Sequence, residues 1–128
     1  MRNTITGIVE TAAVVTGLVV KKGSAANGCV KCGAGEKALG IVDSTDIAES
    51  TAIGEQATIA VDGLVLGLAG GTSVSAVSLG DDLVSDANGK LIKAAGSATH
   101  NRVAIAMEGN TGVDNLFKVK VVIDEVII

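Results

Sequence analysis

The chain has 128 residues and a mass of 12.6 kDa, a length typical of one domain. Its formal net charge is −4 at pH 7, and Phe117 is its one residue of the phenylalanine, tyrosine and tryptophan group. Nucleic-acid binding normally uses a basic surface with aromatic or arginine platforms, so the composition argues against a nucleic-acid partner.

The apolar residues are small or branched. Hydrophobic residues make up 48% of the chain, which has 17 glycines, no proline, no tryptophan and no tyrosine. Branched side chains favour strands, and glycine favours turns and bulges between them. This composition predicts an all-β domain. Because a core of alanine and valine buries little area per residue, we also expect the protein to gain burial by self-association.

The first half of the chain carries short strand signals separated by glycine. Residues 1–12 are polar and extended and are predicted to form an N-terminal arm. A β-rich run over Val14–Val20 is interrupted by Gly17, which is typical of a bulge or a sharp bend. The next predicted elements are a loop at Lys21–Gly28 and strands at Cys29–Cys32 and Ala38–Val42.

The middle of the chain predicts one helical turn and one hairpin. The polar segment Asp43–Gly54 is suited to a single helical turn. Beyond it, an alternating segment ends in the pair Asp62-Gly63, which is typical of a turn, and apolar residues follow. We therefore expect Ala57–Val61 and Leu64–Leu66 to pair as a hairpin.

The clearest strand signals lie in the second half. The run Ser78–Ala94 predicts two strands joined by a tight two-residue turn at Asn88-Gly89, because both central residues of such a turn need positive φ. Val103–Met107 predicts another strand, and Leu116–Ile123 shows the period of two of a half-buried antiparallel strand. In that last strand the apolar face consists of Phe117, Val119, Val121 and Ile123, with Lys118 and Lys120 opposite.

These signals together predict a small barrel or sandwich with at most one short helix. We expect residues 13–128 to form one domain after the arm of residues 1–12. A weak internal repeat runs through this domain, from Val30 to Val61 and again from Val84 to Val121. Each round reads as strand, glycine turn, strand of small residues, glycine loop and alternating strand.

Cys29 and Cys32 form a CxxC, the one motif here with a named chemistry. A closed zinc site needs four ligands, and the other good candidate in the chain is His100. Residues three apart on a strand point to opposite faces and do not bridge easily. We expect two reduced thiols, and a metal shared across an oligomer axis is the alternative.

The remaining polar residues do not suggest a catalytic constellation. His100 lies in a loop-like segment and is expected to be solvated rather than to act as a general base. The acidic pairs Asp81-Asp82 and Asp43 with Asp46 lack the spacing of a calcium loop and are expected to be solvated turn carboxylates. We predict no catalytic residue, no metal, no cofactor and no small-molecule substrate.

Membrane and export signals are weak. No apolar run reaches the length of about 18 residues that a membrane helix needs. The stretch Ala12–Val20 resembles the apolar part of a signal peptide, but Glu10 precedes it and Lys21-Lys22 follows where a cleavage site belongs. We expect a strand there, no membrane partner and synthesis in the cytoplasm.

Several glycine-punctuated phrases together resemble a known family. They are Thr16-Gly17-Leu18-Val19, Gly40-Ile41-Val42, Val61-Asp62-Gly63, Leu79-Gly80-Asp81-Asp82-Leu83 with Asp86-Ala87-Asn88-Gly89-Lys90, and Ile105-Ala106-Met107 before the final alternating strand. In this order they resemble the capsid decoration proteins of tailed bacteriophages, the cement proteins of virion heads. The resemblance covers most of the chain from Thr16 onward.

The resemblance implies a small β-barrel or β-tulip protein, a homotrimer without enzymatic activity. Such a protein binds the outer surface of the phage head and stabilises the expanded capsid by bridging major capsid subunits. An extended N-terminus could add a strand to a capsid edge, so the expected capsid contacts are Arg2, Asn3, Thr4, Ile5, Thr6 and Ile8. The apolar C-terminus is the expected oligomer interface, at Val126, Ile127 and Ile128.

Two alternatives stay open at this point. One is a small cofactor-carrier or metal-binding β-domain that uses Cys29 and Cys32. The other is a different self-assembling virion or tail protein.

Overall fold

The computed structural model describes residues 3–43, 50–70, 76–94 and 99–127. These residues form β-strands and no helix, which confirms the all-β prediction. The strands are β1 (Thr4–Val9), β2 (Val14–Val15), β3 (Val19–Lys22), β4 (Gly28–Lys31), β5 (Gly40–Val42), β6 (Ser50–Thr51), β7 (Gln56–Ala60), β8 (Gly63–Leu68), β9 (Asp82–Ser85), β10 (Leu91–Lys93), β11 (His100–Ala106) and β12 (Leu116–Val126). Half of the segment Asp43–Gly54, for which a helical turn was expected, lies outside the described residues, and Ser50–Thr51 within it form β6. In the part of the chain that the structure describes, no helix is long and apolar enough to cross a bilayer.

Five strands close into a barrel in the order β1-β4-β3-β5-β7. β1 runs antiparallel to β7, from Thr4 opposite Ala60 to Ile8 opposite Gln56. It also pairs in parallel with β4, at Ile8 and Val9. The prediction of a small barrel is confirmed, and residues 4–9 of the expected arm form one of its strands.

Closure of the barrel requires a very small residue at Gly40 on β5. A Cβ there would run into the carbonyl oxygen of Ala60 and would lie 2.6 Å from Cγ2 of Ile59. Both of these atoms belong to β7, the antiparallel neighbour of β5. The glycine therefore allows the two strands to approach closely enough to seal the barrel wall.

The second sheet is open and antiparallel, with five strands in the order β10-β9-β11-β12-β8. Its strand β12 shows the predicted alternation: Phe117, Val119 and Val121 are buried, whereas Lys118 and Lys120 are exposed. Ile123 is partly buried and packs against the core. A bulge between Arg102 and Ala104 shifts the register of β11 against β12.

Two clusters of apolar side chains hold the protein together. One fills the barrel interior with inward-pointing residues such as Val9, Val20 and Ile59. The other lies between the barrel and the open sheet, where Ile41 of β5 belongs to the same cluster as Phe117 of β12. Barrel strands therefore bury side chains on both faces, one face toward the lumen and the other toward the sheet.

The bend at Gly17 is confirmed, since β2 ends before it, β3 begins after it, and its φ is +89°. The loop expected over Lys21–Gly28 is shorter than predicted. Lys21 and Lys22 continue β3, because they pair with Val30 and Cys29 of β4.

The hairpin of β9 and β10 is confirmed, but its turn differs from the prediction. The loop has three residues, Ala87 to Gly89, and the N–H of Asp86 donates to the carbonyl of Lys90 at 2.8 Å. Only Gly89 has positive φ, +75°. The Asp86 carboxylate explains the longer turn, because its Oδ1 accepts hydrogen bonds from the N–H groups of Asn88 and Lys90 at 2.8 and 3.0 Å.

The prediction of a hairpin around Asp62-Gly63 is wrong. β7 pairs with β1 and β5 in the barrel, whereas β8 pairs with β12 in the open sheet. Gly63, with φ of +82°, is the point where the chain leaves the barrel and enters the other sheet. A turn signal was therefore present, but the strands on either side of it have other partners.

The two rounds of the predicted repeat fold into different sheets. The first maps onto β4, β5 and β7 of the barrel, and the second onto β9, β11 and β12 of the open sheet. In the barrel β3 separates β4 from β5, whereas β9 and β11 pair directly. The second and third strands pair with each other in both rounds, β5 with β7 and β11 with β12, so the two rounds differ in the place of the first strand.

We predict that Phe117→Ala will lower the free energy of unfolding by about 3–5 kcal/mol, the usual cost of removing a buried aromatic ring. Phe117 is 2% exposed and is the largest fully buried side chain of the described core. Urea unfolding followed by circular dichroism measures the change. The neighbouring exposed Lys118→Ala is the control and should change stability by less than about 0.5 kcal/mol. Equal effects of the two substitutions would contradict the assignment of the core.

Candidate interaction surfaces

The expected capsid contacts lie on and just before β1, except Arg2, which is outside the described residues. The backbone N–H and the side-chain amide of Asn3 each donate to a carboxylate oxygen of Asp62 at 2.7 Å. These hydrogen bonds lower the pKa of Asp62. The start of β1 is thereby tied to the point where the chain leaves β7.

The outer side of β1 presents its side chains to solvent. Thr4, Thr6 and Ile8 alternate with the inward-facing Gly7 and Val9 and are exposed. Ile8, on this outer side, is 40% exposed, whereas Ile5 lies on the same side as Gly7 and Val9 and is 41% exposed near the start of the strand. Because the backbone of β1 pairs along its length with β7 and at its end with β4, a partner would meet this strand mainly through side chains.

The expected oligomer contacts lie at the end of β12. Val126 is the last residue of that strand, is half-buried and pairs with His100. Ile127 is 76% exposed, and Ile128 lies outside the described residues. The exposed Ile127 leaves an apolar side chain available for a contact, and the interface itself stays a prediction.

Glu10, directly after β1, holds the loop between β3 and β4. Its carboxylate accepts hydrogen bonds from the N–H and the hydroxyl of Ser24, at 3.1 and 2.8 Å, and from the N–H of Ala25 at 3.0 Å. The Ser24 hydroxyl is the largest of the causes that lower the pKa of Glu10. The carboxylate also fills the space beside Gly28, where a Cβ would collide with it. The end of β1 and the start of β4 are therefore fixed together.

On the open sheet, Arg102 bridges two carboxylates from neighbouring strands. Its Nε and Nη2 donate to the two oxygens of Asp124 at 2.8 and 2.6 Å, and its Nη1 donates to Asp82 at 3.1 Å. The paired hydrogen bonds raise the pKa of Arg102 and lower the pKa of Asp124. This arrangement ties β9, β11 and β12 together at the bulged end of the sheet.

The prediction that His100 and the pair Asp81-Asp82 are solvated is wrong. His100 begins β11, its side chain is 12% exposed, and its Nε2 lies 3.3 Å from Oδ2 of Asp82. Asp81 accepts a hydrogen bond from the N–H of Ser78 at 2.8 Å. The pairing of β9 with β11 brings these groups together. Asp46, the partner expected for Asp43, lies outside the described residues.

Cys29 and Cys32 are free thiols in different core clusters. Cys29 lies in the barrel interior and Cys32 in the cluster between the sheets, and both are fully buried. Burial raises the pKa of each thiol. The prediction that these two residues point to opposite sides of their strand is confirmed. Across the described ranges, no three side chains of the His, Cys, Asp and Glu types gather as a metal-binding group.

A groove of about 590 Å³ follows β8 at the edge of the open sheet. Its lining consists of Leu64, Val65 and Leu66 of β8, Lys118 of β12, and three residues that directly follow strands: Thr16 after β2, Asp43 after β5 and Met107 after β11. Leu64 is 56% exposed. The sequence prediction missed this groove. The available signal was the unbroken apolar run from Leu64 to Leu66, since a strand with one ordinary solvated face alternates with polar residues.

Comparison with known proteins gives a similarity in fold. No protein-family model matches the sequence, and no curated protein matches it at a significant level. A solved structure is similar over almost the whole chain: the N base of head fiber gp8.5 in bacteriophage phi29, with a TM-score of 0.61 and 12% sequence identity, covering 95% of this chain and 95% of that chain. The fold is that of a phage head-fiber base. At this identity the similarity concerns the fold, and the resemblance to decoration proteins stays a prediction.

We predict that Glu10→Gln will destabilise the protein at neutral pH and that its effect will fade in acid. The folded-state pKa of Glu10 lies below its usual 4.5. The stabilisation by the carboxylate is therefore present above pH 4.5 and is lost as the pH falls through the lowered value. Thermal unfolding of parent and variant between pH 7 and about pH 3 should show melting temperatures that converge as the pH falls.

Glu55→Gln serves as the control for this experiment, because Glu55 is also an exposed carboxylate. It should change the melting temperature little at any pH. A difference between parent and Glu10→Gln that stays constant over the whole range would contradict the role of the charged carboxylate.

Proposed function

We propose that this protein is a structural component of a bacteriophage head. In this proposal it binds the outer surface of the capsid, stabilises the expanded head by bridging major capsid subunits and has no enzymatic activity. It is made in the host cytoplasm and resides in the virion. The observation that carries the proposal is the shared fold, over 95% of both chains, with the N base of a phage head fiber. The glycine-punctuated phrases that resemble decoration proteins support the same class of function.

The proposed capsid contact consists of Arg2 and Asn3, which lead into β1, and of Thr4, Ile5, Thr6 and Ile8. Of these residues, Thr4, Thr6 and Ile8 lie on the outer side of the strand, and Ile5 is exposed near its start. Asp62 and Glu10 support this choice, because their hydrogen bonds fix both ends of the strand. A rigid surface loses little conformational entropy when it binds. Its exposed isoleucines supply apolar area, and its threonines supply hydroxyl groups for hydrogen bonds.

The proposed assembly is a homotrimer in contact through Val126, Ile127 and Ile128. The high exposure of Ile127 is consistent with such a contact. Three weak capsid contacts on one rigid body act together, and multivalency of this kind raises avidity by about 10²–10⁴. A protein that binds the expanded shell more tightly than the unexpanded one stabilises the expanded state by mass action.

Deletion of the N-terminal residues is a poor test of the capsid contact, because it would remove strand β1 from the closed barrel. We predict instead that the double variant Thr6→Asp, Ile8→Asp, which changes two residues of the outer side of β1, will bind undecorated expanded heads at least tenfold more weakly than the parent. The reason is the loss of exposed apolar area at the centre of the contact. Co-sedimentation with purified heads gives the affinity, and cryo-electron microscopy gives the occupancy.

Leu79→Asp is the matched control, because Leu79 is 69% exposed and lies in the half of the chain that forms the open sheet. It should bind heads like the parent. All variants are first checked for an unchanged circular dichroism spectrum. Failure of the parent to bind heads would overturn the proposed function, whereas full occupancy by the double variant would exclude β1 as the contact.

A further inference from the structure

β8 is an edge of the open sheet, with β12 as its neighbour on one side. The N–H of Ala69, just beyond β8, donates to the carbonyl of Asn115 at 2.8 Å. With the register of Val65 opposite Val119, the odd-numbered residues of β8 exchange hydrogen bonds with β12, since such pairs alternate along an antiparallel ladder. The backbone groups of Leu64, Leu66 and Leu68 therefore point away from β12.

Only part of this outward row of backbone groups forms hydrogen bonds with described residues. The N–H of Leu68 donates to the carbonyl of Gly17 at 3.0 Å. Within the described part of the chain, no group bonds the outward N–H and C=O of Leu64 and Leu66. An edge strand with unpaired backbone groups is a template for another extended chain.

The groove described above lies along the same backbone row. Leu64 and Leu66 line it, together with Thr16 and Asp43. Its volume of about 590 Å³ lies within the range of about 300–1,000 Å³ that is usual for binding pockets. The groove therefore offers both the space and the backbone partners for a short extended segment.

The side chains define the chemistry of that segment. Leu64 and Leu66 lie on the outer face of the sheet opposite Lys120 and Lys118, respectively. A strand added at β8 would place alternate side chains beside the two leucines on this face, which favours apolar residues there. Among the described residues, neither lysine has a carboxylate within salt-bridge distance. An acidic residue on the segment would complement them.

We propose that the groove along β8 binds an extended, apolar segment of a partner protein that carries an acidic residue, by adding it as a sixth strand to the open sheet. A second copy of this chain fits less well. Its own β8 would arrive with the same Thr16 and Asp43 beside it and with the same lysines on its outer face. The complementary charge has to come from a different sequence.

The test uses a synthetic seven-residue peptide that alternates valine with threonine and contains one glutamate. Added to the isotope-labelled full chain at up to about 1 mM, it should shift the amide NMR signals of Leu64 and Leu66 and slow their hydrogen exchange. Leu66→Pro removes one outward N–H but no hydrogen bond to β12. It should weaken binding at least tenfold, whereas Leu66→Val, which keeps the N–H, should bind within about threefold of the parent.

Charge reversal gives a second readout that does not depend on the proline variant. Lys118→Glu should weaken binding of the glutamate peptide by about fivefold, in line with an exposed ion pair. A peptide with lysine in place of glutamate should restore it. Lys31→Glu on the exposed side of the barrel is the control and should leave binding unchanged.

Three results would overturn the proposal: no shift at Leu64 and Leu66, binding that Leu66→Pro leaves intact, or a change of oligomeric state by Leu66→Pro in sedimentation. The last result would make the edge an interface between copies. The experiment contains no phage heads, so its failure would leave the proposed function standing.

Discussion

The contact between the outer faces of β3, β5 and β7 and the buried face of the open sheet governs the rest of the structure. Val19, Ile41 and Ala60 come from the barrel side of this contact, and Phe117 and Leu83 come from the sheet side. Because the barrel strands also fill their own lumen, a side chain on either face of these strands is constrained by packing. Such a core leaves little freedom for rearrangement. Among the described residues, the outer side of β1, the exposed Ile127 and the edge at β8 are surfaces outside this core.

The outer side of β1 and the edge at β8 differ in the chemistry that they offer. On β1 the backbone is engaged in the barrel, and the side chains of Ile5 and Ile8 reach solvent. On β8 the backbone groups of Leu64 and Leu66 face the groove as well. A partner with a complementary surface can contact the side chains of β1, whereas hydrogen bonding to the backbone of β8 requires an extended chain. The two proposals together assign two unrelated modes of recognition to one small domain.

Local patterns in the sequence predicted the parts of the fold that depend on neighbouring residues. The alternation from Phe117 to Ile123 and the bend at Gly17 are both present as expected. The turn at Asp62-Gly63 shows the limit of this reasoning, because a turn signal does not say which sheet the next strand will join. The Asn88-Gly89 turn has a different geometry because the Asp86 carboxylate bonds two backbone N–H groups within it.

The candidate sites were harder to predict because they depend on pairings distant in sequence. His100 and Asp82 meet only through the β9–β11 pairing, which no pattern within either segment encodes. The CxxC was easier to judge, since the alternation of a strand already separates Cys29 from Cys32. The groove at β8 depends on the positions of Thr16 and Asp43, which directly follow β2 and β5 and are distant from β8 in sequence.

The pairing of β1 with β7 also has a consequence for how the protein is made. Thr4 lies opposite Ala60, so β1 cannot complete the pairing with its main partner until synthesis has reached Ala60. At typical rates of synthesis this delay lasts roughly 3–10 s, and closing a ring through such distant residues is intrinsically slow. During that interval the nascent segment carries two threonines and a glycine, Thr4, Thr6 and Gly7, which make it a weaker template for aggregation than an unbroken aliphatic strand.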